Sequence, residues 1–168
     1  MRIRKFQQDD AAAMLPVIND AAWAYESVIP PDRWHVPYMP ADELAREIAD
    51  GIQFWVAEDG GRLSGLMGMQ DKGDVVLVRH AYVAPQMQRT GVGSALLRHV
   101  QSLSDKPVLI GTWAAASWAI AFYRRHGFTV LPEAQKDELL REYWSIPQRQ
   151  LETSVVLADA RWMALSAG

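Results

Sequence analysis

The sequence predicts a mixed α/β (α+β) fold: a mostly antiparallel central sheet of about seven strands, flanked by helices. Three observations carry the prediction. Ile52, Phe54 and Val56 alternate with Gln53, Trp55 and Ala57, the period of a strand with two unlike faces. Val75-Val76-Leu77-Val78 is an unbroken apolar run opening a strand over 75–83, as expected for a strand buried on both faces in mid-sheet. After Pro85 the period turns helical, with Val92, Leu96, Val100 and Leu103 on one stripe.

The remaining elements follow in order. Residues 2–7 read as a first strand. Asp9 and Asp10 are placed to cap a helix running through Met14, Leu15, Val17 and Ile18 to about Ala24. Residues 25–40 form an aromatic loop braced by Pro30, Pro31, Pro37 and Pro40, and a helix over 41–50 stops at Gly51. Glu58-Asp59-Gly60-Gly61 and Asp71-Lys72-Gly73-Asp74 are tight-turn signals either side of a strand over 62–70, whose Leu63, Met67 and Met69 share one side. Pro107–Trp113 reads as a strand. A helix over 116–126 carries Arg124, Arg125 and His126 in its last turn and ends at Gly127, matching the helix dipole and a left-handed cap. A short strand Phe128–Leu131, a helix over 133–144 and a strand Thr153–Ala158 complete a single domain over 1–168. The stretch Leu139–Glu152 exceeds what a connecting loop needs; a packed helix, closure of a substrate site and a dimer contact are its three readings.

Bulk properties exclude several classes. The 168 residues are 49% hydrophobic and 22% charged, which supports a core and argues against disorder. The absence of cysteine excludes disulfides and thiolate metal sites and fits a reducing compartment. A formal net charge of −3, with no basic recognition helix, argues against nucleic acid as a partner. No apolar stretch approaches the ~20 residues that span a bilayer, and the first residues lack a signal-peptide run. A cytoplasmic protein without membrane partners is the expectation.

The sharpest feature is the junction Val83-Ala-Pro-Gln-Met-Gln88-Arg89-Thr90-Gly91-Val92-Gly93-Ser94. A buried strand runs into a glycine-containing turn and straight into an amphipathic helix. First-turn amides of a helix lack intrahelical acceptors, and the dipole is positive there. A diphosphate placed there accepts several N–H bonds at once. Gly91 and Gly93 let a ligand approach the backbone, and Arg89 adds a mobile charge. A plain strand-to-helix turn would show the same two glycines, and neither the Gly-Lys-Ser/Thr loop nor the third glycine of the dinucleotide fingerprint is present.

Gln88-Arg-Thr-Gly91-Val-Gly93 resembles the Gln/Arg-x-x-Gly-x-Gly/Ala motif of the GNAT superfamily of N-acetyltransferases, and Phe122-Tyr123-Arg-Arg-His-Gly127-Phe128 resembles its Phe-Tyr-x-x-x-Gly-Phe. The resemblance covers residues 52–131 well and the ends more loosely. It implies a sheet splayed between its fourth and fifth strands, acetyl-CoA as co-substrate and no metal. It also implies pantetheine pairing with the backbone near Tyr82 and Val83, and a pyrophosphate on the amides of Gln88 to Ser94.

The same resemblance makes Tyr123 the candidate general acid that protonates the departing CoA thiolate. Ala116 stands where the superfamily often carries an Asn that touches the cofactor, so that contact is missing. Superfamily members often supply a carboxylate base on or near the central strand, yet none lies in 75–83. His80, read as sharing a strand face with Val78 and Tyr82, is one candidate base; Glu26 in the aromatic loop and relay through water are the others. Trp23, Tyr25, Trp34, His35 and Tyr38 are candidate walls of the acceptor pocket, and Arg79 a charge partner within the sheet. The expected activity is acetyl transfer to a primary amine of a small molecule or peptide, with the acceptor open and a homodimer left open. The competing reading is a non-catalytic acyl-CoA-binding sensor or subunit of the same fold.

Overall fold

The computed structural model describes residues 1–167. Backbone hydrogen bonds order its strands β1-β2-β3-β4-β5-β7-β6 in a seven-stranded, mostly antiparallel sheet. The chain divides into two compact units, Met1–Gln70 with Val78–Asp105, and Asp71–Leu77 with Lys106–Gly168.

The first unit contains β1 (Arg2–Lys5), α1 (Ala11–Ala22), α2 (Ala41–Ala49), β2 (Gln53–Asp59), most of β3 (Arg62–Asp71), most of β4 (Val76–Val83) and α3 (Val92–Ser102). β2 pairs antiparallel with β1 and with β3. Met14 and Ile18 of α1, and Leu44 of α2, meet Phe54, Val56 and Leu66 in one cluster. Each such fully buried side chain contributes about 1.5–3 kcal/mol of transfer free energy.

β3 has no solvent face: residues 64–69 are all buried. Gly65 and Gly68 permit this, because a Cβ on Gly65 would lie 2.9 Å from Val92 Cγ1, and one on Gly68 would lie 2.6 Å from the carbonyl oxygen of Arg79. One expectation needs correction in this unit: no side chain caps α1. The Asp10 carboxylate instead accepts both Arg4 Nη groups at 2.7 and 2.9 Å and the Gln7 amide at 2.7 Å. A guanidinium fork offers the carboxylate two bonds from a charged donor, where a capped amide offers one bond from a neutral donor. Arg4 Nε also donates to Glu58 at 2.7 Å, tying β1 to β2.

The hydrogen bonds from Arg4 hold the Asp10 carboxyl below the usual carboxylate range. A depressed folded value means that this stabilisation is present above the unfolded value, near pH 4, and is lost as pH falls through the folded one. Asp10→Asn is therefore expected to cost about 1.5–3 kcal/mol at pH 7. Urea titrations from pH 7 to pH 2 check the sign: the gap between parent and variant narrows below about pH 4.

The second unit contains β5 (Val108–Trp113), α4 (Ser117–Arg125), β6 (Thr129–Val130), α5 (Glu133–Tyr143), α6 (Gln148–Glu152), β7 (Ser154–Ala158) and α7 (Ala160–Ser166). β7 pairs antiparallel with β5 and β6. The beginning of β4 belongs here, and the Val76 amide donates to the Pro107 carbonyl at 2.9 Å. Val75, Leu77, Leu109, Leu140, Tyr143 and Val156 form the core.

The long stretch after Leu139 is part of that core. Leu139, Leu140, Tyr143 and Leu151 are buried, and buried Lys136 donates to the Leu151 carbonyl at 3.0 Å, joining α5 to α6. Gly127 lies at φ 85 after α4, as the helix-stop signal predicts. No helix among the described residues is long and apolar enough to cross a membrane.

Candidate functional site

β4 and α3 bound the turn that the sequence singles out. Gln88, Arg89, Thr90 and Gly91 are exposed, Val92 is buried, and Gly93 and Ser94 are half-buried. Val92, Leu96, Leu97 and Val100 anchor α3 by one apolar stripe, so its first turn is fixed from below. Gly91 is the N-cap residue at φ 91, and no side chain caps this end. Arg89 also lies in the left-handed region, at φ 64. Turn residues of this kind direct successive amides into one concavity, the geometry that holds anions. Thr90 Oγ1 donates to the Met87 carbonyl and the Gln88 side-chain amide to the Val83 carbonyl at 3.3 Å, bracing the turn from both sides.

β4 is not a regular strand. His80 sits at φ 58, a left-handed backbone that interrupts the alternation of faces. The expectation that His80 shares a strand face with Val78 and Tyr82 by simple period-2 spacing therefore fails. The imidazole packs on Phe54, with ring centroids 5.9 Å apart, and His80 Nε2 lies 3.6 Å from a carboxylate oxygen of Glu47 on α2. That distance is an ion-pair separation rather than a hydrogen bond. The interaction with His80 holds the Glu47 carboxyl below the usual range, against the opposing effect of burial. Arg79 donates to Gln70 Oε1 at 3.2 Å, so its hydrogen-bond partner in the sheet is neutral.

Glu47 is the residue that the sequence reading missed. Strand 75–83 holds no carboxylate and Glu26 lies in the aromatic loop, whereas Glu47 arrives from a helix distant in sequence. Its only local signal is its place on α2, one residue before Ile48, which packs on the core.

The aromatic loop closes on itself. Trp23 and Trp34 have centroids 5.3 Å apart, Trp34 stacks on Tyr38 at 5.7 Å, and Tyr38 meets Tyr82 of β4 edge-on at 6.4 Å. His35 stacks on Tyr38 at 6.3 Å. Burial pushes the Tyr38 phenol up. The series runs from Trp23, half-exposed at 50%, to the strand that bears His80. Glu26 is exposed after the turn at Trp23–Tyr25 and makes no side-chain hydrogen bond or ion pair among the described residues. The structure thus brings His80 to Glu47 and Tyr38 to Tyr82.

Tyr123 belongs to the second unit. It is 7% exposed on α4, edge-on to Phe122 at 5.2 Å and to Phe128 at 5.9 Å. Phe128 follows the stop at Gly127, so the Phe-Tyr-x-x-x-Gly-Phe spacing folds both phenylalanines around the phenol. Ala116 is fully buried at the N-cap of α4.

A strand interrupted at His80 running into an uncapped helix through left-handed turn residues is a geometry that suits an anion such as a diphosphate. Comparison with known proteins makes this specific. Residues 50–130 match the family model of the acetyltransferase (GNAT) domain. The chain is 26% identical over 145 residues to the peptidyl-lysine N-acetyltransferase YiaC of Escherichia coli K12, covering 84% of this chain and 92% of that protein. It shares its fold with the PaiA N-acetyltransferase of Thermoplasma acidophilum, solved in complex with coenzyme A, at TM-score 0.72 and 16% identity over 94% of this chain and 97% of that one. The ribosomal-protein-S18-alanine N-acetyltransferase of E. coli has the same fold, at TM-score 0.63 and 17% identity over 94% and 92%. The family match, the curated relative and the shared fold together support a GNAT-superfamily, acetyl-CoA-dependent acyltransferase.

Proposed function

We propose that this enzyme transfers the acetyl group of acetyl-CoA to a primary amine by direct attack, with Tyr123 as general acid and His80 as base. The observation that carries the donor half is the uncapped start of α3 behind the exposed turn Gln88–Gly91. There the amides of Gln88, Arg89, Thr90, Gly91, Val92, Gly93 and Ser94 hold the pyrophosphate, and Tyr82 and Val83 offer backbone groups to the pantetheine arm. The thioester supplies an activated acyl group. The chain's own task is to position it, accept a proton from the acceptor ammonium and return one to the leaving sulfur. A phenol beside that sulfur does the second. An imidazole on β4, between the aromatic loop and α2, does the first. The E. coli relative acts on peptidyl lysine, which makes a lysine side chain in a peptide the first acceptor to try.

Ser94→Glu tests the donor site with effects of opposite sign. A carboxylate in the first turn of α3 favours the helix dipole by about 0.3–1 kcal/mol. The same charge repels a diphosphate. The variant is expected to melt no lower than the parent, while KM for acetyl-CoA rises at least ~10-fold. Calorimetric titration with CoA and a CoA-release assay on a lysine peptide read both. Unchanged CoA affinity in a folded Ser94→Glu protein would place the diphosphate elsewhere.

A further inference from the structure

Glu47 is where the structure goes beyond the proposed mechanism. It sits on α2, outside both sequence motifs, and its side chain is 21% exposed. Its carboxylate faces His80 Nε2 at 3.6 Å. That nitrogen is buried and makes no hydrogen bond, while the His80 side chain as a whole retains 15% exposure. The exposed part of the ring is therefore not Nε2. A free Nε2 sealed against a carboxylate is costly as a lone pair, because it would face a negative charge. It is favourable as an N–H, which can tighten onto the carboxylate.

The backbone points the same way. His80 is a non-glycine residue at φ 58 within a strand, a strained conformation that persists where the surroundings impose it. The surroundings are visible: Gly68 leaves room for the Arg79 carbonyl, and Phe54 supports the ring from β2. The charged groups around the pair are few. Arg79 adjoins His80 on β4, and Arg46 adjoins Glu47 on α2; both favour the carboxylate form of Glu47.

We infer that Glu47 is the positioning residue for His80, holding the imidazole with N–H on Nε2 and leaving Nδ1 as the acceptor of the substrate's proton. This rests on the reading of His80 as base. In the step itself an N–H bond of the acceptor ammonium breaks and an Nδ1–H bond forms. The ring becomes an imidazolium whose positive charge is matched by Glu47, and the freed amine lone pair attacks the thioester carbon. The C–S bond then breaks, Tyr123 gives its proton to the departing thiolate, and the resulting phenolate takes the second nitrogen proton as the amide forms. The logic is that of a histidine base oriented by a carboxylate, with the two ring nitrogens exchanged. A loose contact in the unloaded enzyme that tightens on substrate is usual for such pairs.

The test uses the whole chain with acetyl-CoA and a lysine peptide, spermidine and an alanine-terminated peptide as acceptors. Glu47→Gln is expected to lower kcat about 10- to 100-fold with KM for acetyl-CoA unchanged, part of the 10²–10⁴ that acid–base catalysis supplies. Glu47→Asp recovers part of the loss, and added formate partly restores Glu47→Ala. His80→Ala loses at least as much, and added imidazole rescues it. Parent-like kcat in Glu47→Gln, with His80→Ala impaired, overturns the inference and spares the base. Parent-like kcat in His80→Ala overturns the base reading itself. A measurement that needs no turnover stands beside these: long-range ¹⁵N–¹H spectra of histidine-labelled protein. They are expected to show the Nε2–H tautomer for His80 in the parent, and an Nδ1–H tautomer there would sink the assignment.

Discussion

Tyr123→Phe is expected to lower kcat by about 10²- to 10⁴-fold, the range general acid catalysis contributes, with acetyl-CoA binding intact. The substitution removes one hydroxyl and keeps the ring. The ring is what Phe122 and Phe128 pack against, at 5.2 and 5.9 Å. Packing therefore survives, and the stability cost stays near the ~0.5–1.5 kcal/mol of a single hydrogen bond. The two readouts separate the roles. If Tyr123 is only a core aromatic, the melting temperature moves slightly and kcat not at all. A variant that turns over at the parental rate would remove Tyr123 from the chemistry.

Gly68→Ala is expected to damage stability and activity together. Gly68 pairs with Phe54 across β2 and β3, and an added methyl would lie 2.6 Å from the Arg79 carbonyl oxygen, 2.9 Å from Ile52 and 3.1 Å from Phe54. Ile52 and Phe54 can shift by tenths of an ångström, but a backbone oxygen within a paired strand cannot. Overpacking of this kind costs about 1–3 kcal/mol, which lowers the melting temperature by roughly 2–12 °C in a chain of this size. The atom displaced belongs to the residue before His80. The kink that aims the imidazole at Glu47 should therefore relax, and kcat should fall at least ~10-fold if His80 is the base. A folded Gly68→Ala enzyme with parental kcat would show that the kink is architectural only.

Among the described residues, the seven strands and five of the seven α-helices are legible in the sequence pattern, because their periods are local. α6 and α7 escaped it. Gln148–Glu152 is five residues long and gives too few turns for a period, and it is placed by the Lys136 bond to Leu151. Ala160–Ser166 buries no residue, so it has no apolar stripe to detect; its signal is Asp159, whose carboxylate accepts the Trp162 amide at 3.2 Å. The Asp10 expectation failed for a related reason. Its sequence context fits a cap, but Arg4 competes for the same oxygens and offers charge.

The turn proposed to hold the diphosphate was legible because its requirements are consecutive: an apolar strand, a glycine with no Cβ to strain at φ 91, and a helix whose stripe begins at Val92. Tyr123 was legible in the sequence because the Phe-Tyr-x-x-x-Gly-Phe spacing is local to one helix and its stop at Gly127. The Glu47–His80 pair was not, and no inspection of 75–83 would have found it. It depends on a backbone reversal at His80 that a regular strand does not have, on a glycine in β3 that admits it, and on a helix that precedes β4 by some thirty residues. Amino-acid order by itself carried the family resemblance, most of the elements and the candidate turn after β4, since these follow from neighbours along the chain. Only the tertiary structure decided which carboxylate faces the histidine, since charges act through space and take no account of sequence separation.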